Sequence, residues 1–445
     1  MRTDGGEAIA FDGMYSEGFR AALMEIIIKR KKIRGSSGTL YGNRGDCFRE
    51  KEYGEELAMR STLMKAEQSN TSTVYDNKCI LKLFRRLENG INPDAEISRY
   101  LSDKAHFANT PCFGGTIEFK KPAGEPICVA LMQKFVPAQA DAWEFALAHV
   151  REYFERVLSQ KPDISAMPKV SVLLSSAGQD EASKALKALC GEFFTEMIAV
   201  LGQRTGELHK AFASAVSDPA FAPEPFSILY QRSVYQSMKS LQRNVFSMIT
   251  KTASGFNGDV AEELKAVLGF DREINACYEK MLGRKFSGMK IRIHGDYHLG
   301  QVLFTGKDMV IIDFEGEPVR SLSERRLKRS ALRDIAGMVR SFHYAAYAAL
   351  LKHPSVRAED RSALEPWVKI WYTYISNLFV SSYLSTVGTA DFLPSDHNEF
   401  SVLFKAFLLE KAVYELWYEF NNRPDWLLIP AKGIEYTLID AGGTS

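Results

Sequence analysis

Net charge is the first thing this chain lacks. Its 56 lysines and arginines stand against 55 acids, leaving +1 at pH 7 over 445 residues. No molecule-wide field draws it to nucleic acid or to an anionic membrane. The six cysteines, at 47, 79, 112, 128, 190 and 277, contain no Cys-x-x-Cys pair. That argues against a zinc site or a disulfide framework, and for reduced buried thiols in a cytoplasmic protein. The opening MRTDGGEAIAFDG has no apolar core, so no secretory signal is read. The longest membrane-like run, residues 367–384, is interrupted by Lys369, Asn377 and several hydroxyls, and reads as a buried helix. A P-loop is missing too: GSSG at 35–38 follows a predicted helix and lacks the Lys-Ser/Thr pair, so it is a turn. There is no internal repeat and no low-complexity segment.

What is present is ordinary for a globular protein: 46% hydrophobic and 25% charged residues, on a chain long enough for two or three structural units. Residues 14–33 predict a helix with Phe19, Leu23, Ile26 and Ile27 on one face and a basic end at 29–34. Residues 56–137 predict mostly strands. Segments 67–75 and 78–84 are joined by the turn pair Asp76-Asn77, and 112–119 and 127–135 flank the loop KKPAGEP. Between them a helix opens at Asn92-Pro93-Asp94, with Asn92 as cap. Beyond 141 the chain is largely helical, over 141–160, 180–213, 229–250, 258–282, 331–352, 363–387 and 397–420. SDPAFAPEPF and RPDWLLIPAKG read as loops.

The chemistry concentrates in residues 290–318, KIRIHGDYHLGQVLFTGKDMVIIDFEGEP. Two short strands joined by a Gly-Lys-Asp turn end in His294-Gly295-Asp296 and in Asp313-Phe314-Glu315. Two carboxylates brought together by a hairpin suit metal-assisted phosphoryl transfer, one taking the hydroxyl proton and one holding Mg²⁺. Asp313 and the Gln301 side-chain carbonyl are hard oxygen donors of the kind Mg²⁺ prefers. The pattern HGDxHxxQ followed by DFE resembles the catalytic core of aminoglycoside-phosphotransferase-type kinases, which share the protein-kinase fold. That resemblance implies an α+β, bilobal protein-kinase-like fold with a β-rich N-lobe and a mainly helical C-lobe. It implies ATP as phosphate donor. Lys82 becomes the phosphate-binding lysine, with Lys78, Arg85 and Arg86 competing from the strand's ends. Glu96 becomes its candidate partner, its plainer reading being a surface acid at a helix start. Ser69, Asn70, Thr71 and Ser72 would form a phosphate-covering loop without glycines. The backbone at Gln133 to Phe135 would meet adenine; Asp141 could contact ribose or substrate, and Trp143 packs.

EQSNTS, ILKLFRRLENGINPDAEISRYL, HGDYHLGQVL, SERRLKRSALRDIAGMVRSFHYAA and KAVYELWYEFNNRPDWLLIP carry a closer resemblance, to the maltokinase family. They are most similar to the maltokinase domain fused to trehalose synthase in some bacteria. The resemblance implies ATP-dependent phosphorylation of maltose at its anomeric hydroxyl, giving maltose 1-phosphate for α-glucan synthesis. A trehalose synthase, fused or associated, is the implied partner, with no nucleic acid and no membrane. Residues 1–65 would be an N-terminal cap, 66–137 the kinase N-lobe and 138–445 the C-lobe. Asp296 would be the base, Gln301 and Asp313 the Mg²⁺ ligands, and Glu315 an aid to a second metal position or to loop order. His294 and His298 would hold the turn. Arg325, Arg326, Arg329, Arg333, Asp334 and Arg340 read as a supporting salt-bridge network, with Arg333-Asp334 able to anchor the turn. Sugar is expected against Glu410, Lys411, Tyr414, Glu415 and Arg423, since charged groups bind hydroxyls and aromatics stack on sugar rings. The alternative is an amphipathic helix with solvated charges and core aromatics. Rival functions are a glucosamine or aminoglycoside kinase, and a catalytically silent module on a trehalose synthase.

Overall fold

A computed structural model of the chain describes residues 2–3, 6–7, 11–48, 59–64, 70–168, 171–172, 181–252, 255–256, 258–354 and 356–439. The chain forms two compact units. The first comprises Met1–Ala138 with Val310–Leu327, the second Gln139–Met309 with Lys328–Ser445. Residues 310–327 belong to the first unit, far along the chain from the rest of it. Among residues 1–65, the described segments Lys32–Arg34, Thr39–Arg44 and Ser61–Leu63 belong to the large sheet of the first unit, and Arg2–Thr3 pairs with Gly6–Glu7 apart from it.

Among the described residues seven strands build the first unit's main sheet: β1 (Lys32–Arg34), β2 (Thr39–Arg44), β3 (Ser61–Leu63), β4 (Asn70–Tyr75), β5 (Cys79–Phe84), β6 (Phe113–Lys120) and β7 (Ile127–Lys134). Their spatial order is β1-β2-β6-β7-β5-β4-β3, every neighbouring pair antiparallel. Helix α1 (Glu17–Ile28) starts where the Ser16 hydroxyl accepts from the Phe19 amide. It stops five residues before the sequence pattern suggested. The Gly35 amide closes on the Gly38 carbonyl at 2.8 Å, folding residues 32–34 back against β2 as an edge strand. The basic residues at 32–34 therefore line a sheet edge, not a helix terminus, and charge on an edge strand discourages pairing with other chains.

Leu23, Met24, Ile26, Ile27 and Ile28 of α1 pack on Tyr75, Cys79, Leu81, Ile117, Ala130 and Met132 of the sheet. Phe19, expected on the same face, is 43% exposed. Each fully buried side chain here, such as Ile27 or Ile117, contributes roughly 1.5–3 kcal/mol relative to exposure. Close approach is possible because residue 42 is glycine: a Cβ there would lie 1.8 Å from the Ile26 carbonyl oxygen. Helix α2 (Pro93–Asp103) is capped by the Asn92 side chain. The β2–β6 pairing brings Cys47 and Cys112 together as a disulfide, correcting the expectation of six reduced thiols. A partner 65 residues away leaves no spacing signature. Cys79, Cys128, Cys190 and Cys277 are free.

The second unit is helical. Its main helices are α3 (Ala142–Gln160), α4 (Glu192–Ala213), α5 (Ile228–Thr252), α6 (Leu332–Lys352), α7 (Arg361–Val387), α8 (His397–Asn422) and α9 (Leu428–Ile439). Helix α6 is the hub: it packs against α3, α7, α8 and α9. Ile335, Val339, Phe342 and Ala345 on it have no exposed surface. The helix expected over 180–213 is broken at Gly191, whose φ of +94° ends Glu181–Cys190 before α4 starts. That over 258–282 breaks into Gly258–Gly269 and Asp271–Glu279. Helix α9 runs through a stretch expected to be loop. Pro430 sits in its first turn, where a missing N–H costs nothing. Residues 367–384 lie in α7, with Trp371 fully buried. Among the described residues no helix is long and apolar enough to cross a membrane.

Candidate active site

In the first unit, period-two alternation along β5 sends Leu81 into the core and Lys82 to the other face, beside Ser72 of β4. The Lys82 ammonium lies 2.9 Å from Asp313 Oδ1 and 3.2 Å from Asp94 Oδ2. Burial alone would depress its pKa, but Asp313, Asp94 and Glu315 hold it well above the ordinary lysine value. The helix partner of Lys82 is thus Asp94 and not Glu96. Two residues along a helix turn the side chain by roughly 200°, so both cannot face the sheet. Asp94, Ile97, Ser98 and Leu101 face inward. Glu96 pairs instead with Arg326, at 2.6 and 2.9 Å. Asp94 also accepts from the Ser98 hydroxyl at 3.4 Å and the Phe314 amide at 3.1 Å, tying α2 directly to the DFE segment.

The segments expected to meet nucleotide lie as follows. Asn70, Thr71 and Ser72 lie in strand β4, paired with Phe84, Leu83 and Lys82, and form no loop. Asn70 donates to Glu315 Oε1 at 2.6 Å, and Thr71 accepts from Arg85. Ser69 lies outside the described residues. Farther on, the backbone of Gln133 is paired with both flanking strands, and its side chain donates to Ser98. The Phe135 amide donates to the Lys78 carbonyl at 2.9 Å. The sheet uses these groups because pairing runs one residue beyond the strand proper.

Asp313 adopts a left-handed backbone, φ +66°, which side chains other than glycine rarely take. Carboxylate oxygens of Asp94, Asp313 and Glu315 lie within 4.8 Å of one another. Burial, then the charges of Asp313 and Asp94, push the Glu315 carboxyl up to about 7. Three carboxylates converge there and their donors are hard oxygens, which fits Mg²⁺.

In the second unit, the HGD turn is fastened to the start of α6. The amides of His294 and Gly295 donate to the two oxygens of Asp334 at 2.7 and 3.0 Å. Gly337 lets the turn approach: a Cβ there would lie 2.6 Å from the Tyr297 carbonyl oxygen. His294 Nδ1 accepts from the Asp296 amide, and His298 Nδ1 from the Gly300 amide at 3.1 Å. Gln301 closes a short 3-10 turn, its amide donating to the His298 carbonyl. The Asp296 carboxylate, 26% exposed, lies 3.5 Å from the Lys411 ammonium of α8.

The chain is similar to known proteins in sequence and in fold. Residues 187–316 match the APH phosphotransferase enzyme family. A glucosamine kinase from Streptacidiphilus jiangxiensis is 21% identical over 374 residues, 82% of this chain and 70% of that protein. One from Mycolicibacterium smegmatis is 22% identical over 394 residues, 88% and 82% of the two chains. A structure of glucosamine kinase in complex with glucosamine, ADP and inorganic phosphate aligns with a TM-score of 0.66 at 18% identity, over 98% of this chain and 86% of that one. The fold is that of the aminoglycoside-phosphotransferase-like kinases. The comparisons support placement in that kinase superfamily and do not single out maltokinases within it.

Within this kinase-like chain, α8 carries most of the expected sugar ligands, and most are committed elsewhere. Glu410 pairs with Arg333 at 3.0 Å and Glu415 with the buried Arg340 at 2.7 Å. Arg423 pairs with Glu419, which also accepts from Tyr344. These charges bind α8 to α6 and to its own C-terminal turn. Lys411 alone of the five ion-pairs with the Asp296 carboxylate, and its ammonium lies 5.1 Å from the Tyr414 ring centroid. Sequence reasoning passed over Asp94, His209 and Glu419. The acid preceding AEIS was a signal for Asp94; nothing local marks the other two.

Proposed function

We propose that the chain is an ATP-dependent sugar kinase with maltose as acceptor, phosphorylated at the anomeric hydroxyl to give maltose 1-phosphate and ADP. The observation that carries this reading is the Lys411 ammonium 3.5 Å from the Asp296 carboxylate. A cation beside the base can donate to sugar oxygens and disfavours an acceptor bearing its own ammonium there. Asp296 is the base: it takes the hydroxyl proton as the oxygen bonds to the γ-phosphorus and the bond to ADP breaks. Lys82 would exchange a carboxylate for a phosphate oxygen. Asp313 and Glu315, with Gln301 as a further ligand, would hold Mg²⁺, which when bound offsets charge on the phosphates. Maltose supply by a trehalose synthase, fused or associated, and use of the product in α-glucan synthesis belong to the same reading.

A second reading, an amino-sugar kinase, rests on the glucosamine kinases among the relatives. A panel of maltose, glucose, glucosamine and an aminoglycoside, incubated with ATP and Mg²⁺, separates the two when the phosphate position is read by NMR. Maltose 1-phosphate is expected. Preference for glucosamine, or transfer to a 6-hydroxyl, would overturn the maltose assignment. No turnover on any acceptor would favour a silent module.

A further inference from the structure

The turn that carries Asp296 depends on Asp334, and Asp334 has a third partner outside the turn. His209 of α4 lies with Nε2 3.1 Å from Asp334 Oδ2 and Nδ1 3.0 Å from the Tyr383 hydroxyl of α7. His209 and Tyr383 are 0% exposed and Asp334 2%. We propose that His209 is a positioning residue for phosphoryl transfer: it fixes the Asp334 carboxylate so that both oxygens face the His294 and Gly295 amides, and so sets where Asp296 stands. This deepens the kinase reading and rests on it.

The hydrogen bonds assign the tautomer. A carboxylate can only accept, so Nε2 must carry the proton toward Asp334. In the tautomer protonated at Nε2, Nδ1 accepts from the Tyr383 hydroxyl, which as a phenol has a proton to give. A chain of donors thus runs from Tyr383 through His209 into Asp334, and on the far side Asp334 receives two main-chain amides. Removing the imidazole leaves Oδ2 with the His294 amide as its one remaining donor among these contacts. A buried carboxylate that loses a donor rotates or takes a proton, and a protonated oxygen repels an amide N–H. Either change shifts Asp296, which sits one residue beyond Gly295. The titratable groups facing the pair are Tyr383 from α7 and His294 and Tyr297 from the turn, with Thr205 of α4 bonded to the Tyr297 hydroxyl at 2.8 Å.

His209→Leu and His209→Gln in the full chain test the idea. The glutamine amide can place an N–H where Nε2 stands. For His209→Leu we expect kcat to fall about 10- to 100-fold with sugar and ATP KM changed less than about threefold, as for a misplaced reacting group. Its acid limb in kcat should move to higher pH, and exchange protection of the Gly295 amide should drop. His209→Gln should return kcat to within about fivefold of the parent. A folded His209→Leu with unchanged kcat, acid limb and amide protection overturns the proposal. If leucine prevents folding, glutamine decides: retained turnover supports the role, and loss of turnover with the fold intact overturns it. If the unaltered chain phosphorylates no sugar, the kinase reading fails on its own. Gly295 amide exchange in His209→Leu then decides the positioning role, reduced protection supporting it and unchanged protection overturning it.

Discussion

Lys82 in the first unit and Asp334 in the second are both buried charges, yet they are satisfied by different means. Lys82 is neutralised by side chains, Asp94 and Asp313, one of them 29% exposed. Asp334 is held mostly by hydrogen bonds from main-chain amides and an imidazole that belong to packed elements. Side-chain partners can rotate away and be replaced by phosphate oxygens. Main-chain partners cannot move without moving the turn. One arrangement suits a group that must change partners during a reaction, the other a group that must keep a neighbour still.

The largest effect is expected beside the fixed turn. Asp296→Asn should lower kcat by about 10²–10⁴-fold while nucleotide binding and unfolding midpoint stay near the parent. Parent-like turnover would remove Asp296 as base. On the exchangeable side, Lys82→Met removes an ammonium from among three carboxylates. It should cost about 3–5 kcal/mol in urea unfolding, and adding Asp94→Asn should return part of the loss. Full stability in the single variant would show that the cluster does not need its cation.

A pH titration sharpens the contrast. Burial would raise the Asp334 carboxyl, but His209, His294 and the Gly295 amide hold it below the ordinary carboxylate value. A lowered folded pKa contributes stability above the unfolded value, near pH 4, and loses it as pH falls through the folded value. The urea midpoint of the parent should therefore fall more steeply below about pH 4 than that of Asp334→Asn, which starts lower at pH 7. Parallel curves would mean the anchor carries no such linkage. The smallest effect belongs to Glu96→Gln. It replaces a partly buried ion pair with Arg326 by an uncharged hydrogen bond, so the loss should stay under about 1 kcal/mol with turnover within a few-fold. A hundredfold loss of kcat would return Glu96 to the place Asp94 holds.

The motifs told more than the phases. HGD and DFE stood out because their order, spacing and strand context agreed, and the step from strand-rich to helical sequence followed from periodicity. The choice between Asp94 and Glu96 depended on helix rotation, and both acids lie in one first turn. The charges of α8 looked like a sugar site because composition cannot say that Arg333 and Arg340 stand opposite Glu410 and Glu415. Asn70 to Ser72 looked like a loop because polar residues avoid exposed strands less than they avoid cores; here Ser72 is wholly covered in the sheet beside Lys82. The readings of Glu96 and of the α8 charges concern partners distant in the chain, Arg326 for the one and Arg333 and Arg340 for the other, which local pattern does not encode.

The return of residues 310–327 to the first unit bears on how the protein is made. A ribosome that has finished Ala138 has not finished that unit. Asp313 follows Lys82 by 231 residues, a wait of roughly 10–45 s at ordinary elongation rates. Through that interval the nascent lysine has Asp94 as its nearby counterion. Cutting the gene after residue 138 would therefore yield a fragment without the Asp313 and Glu315 carboxylates. Excising residues 139–309 and joining the flanks would be the way to express the first unit with them.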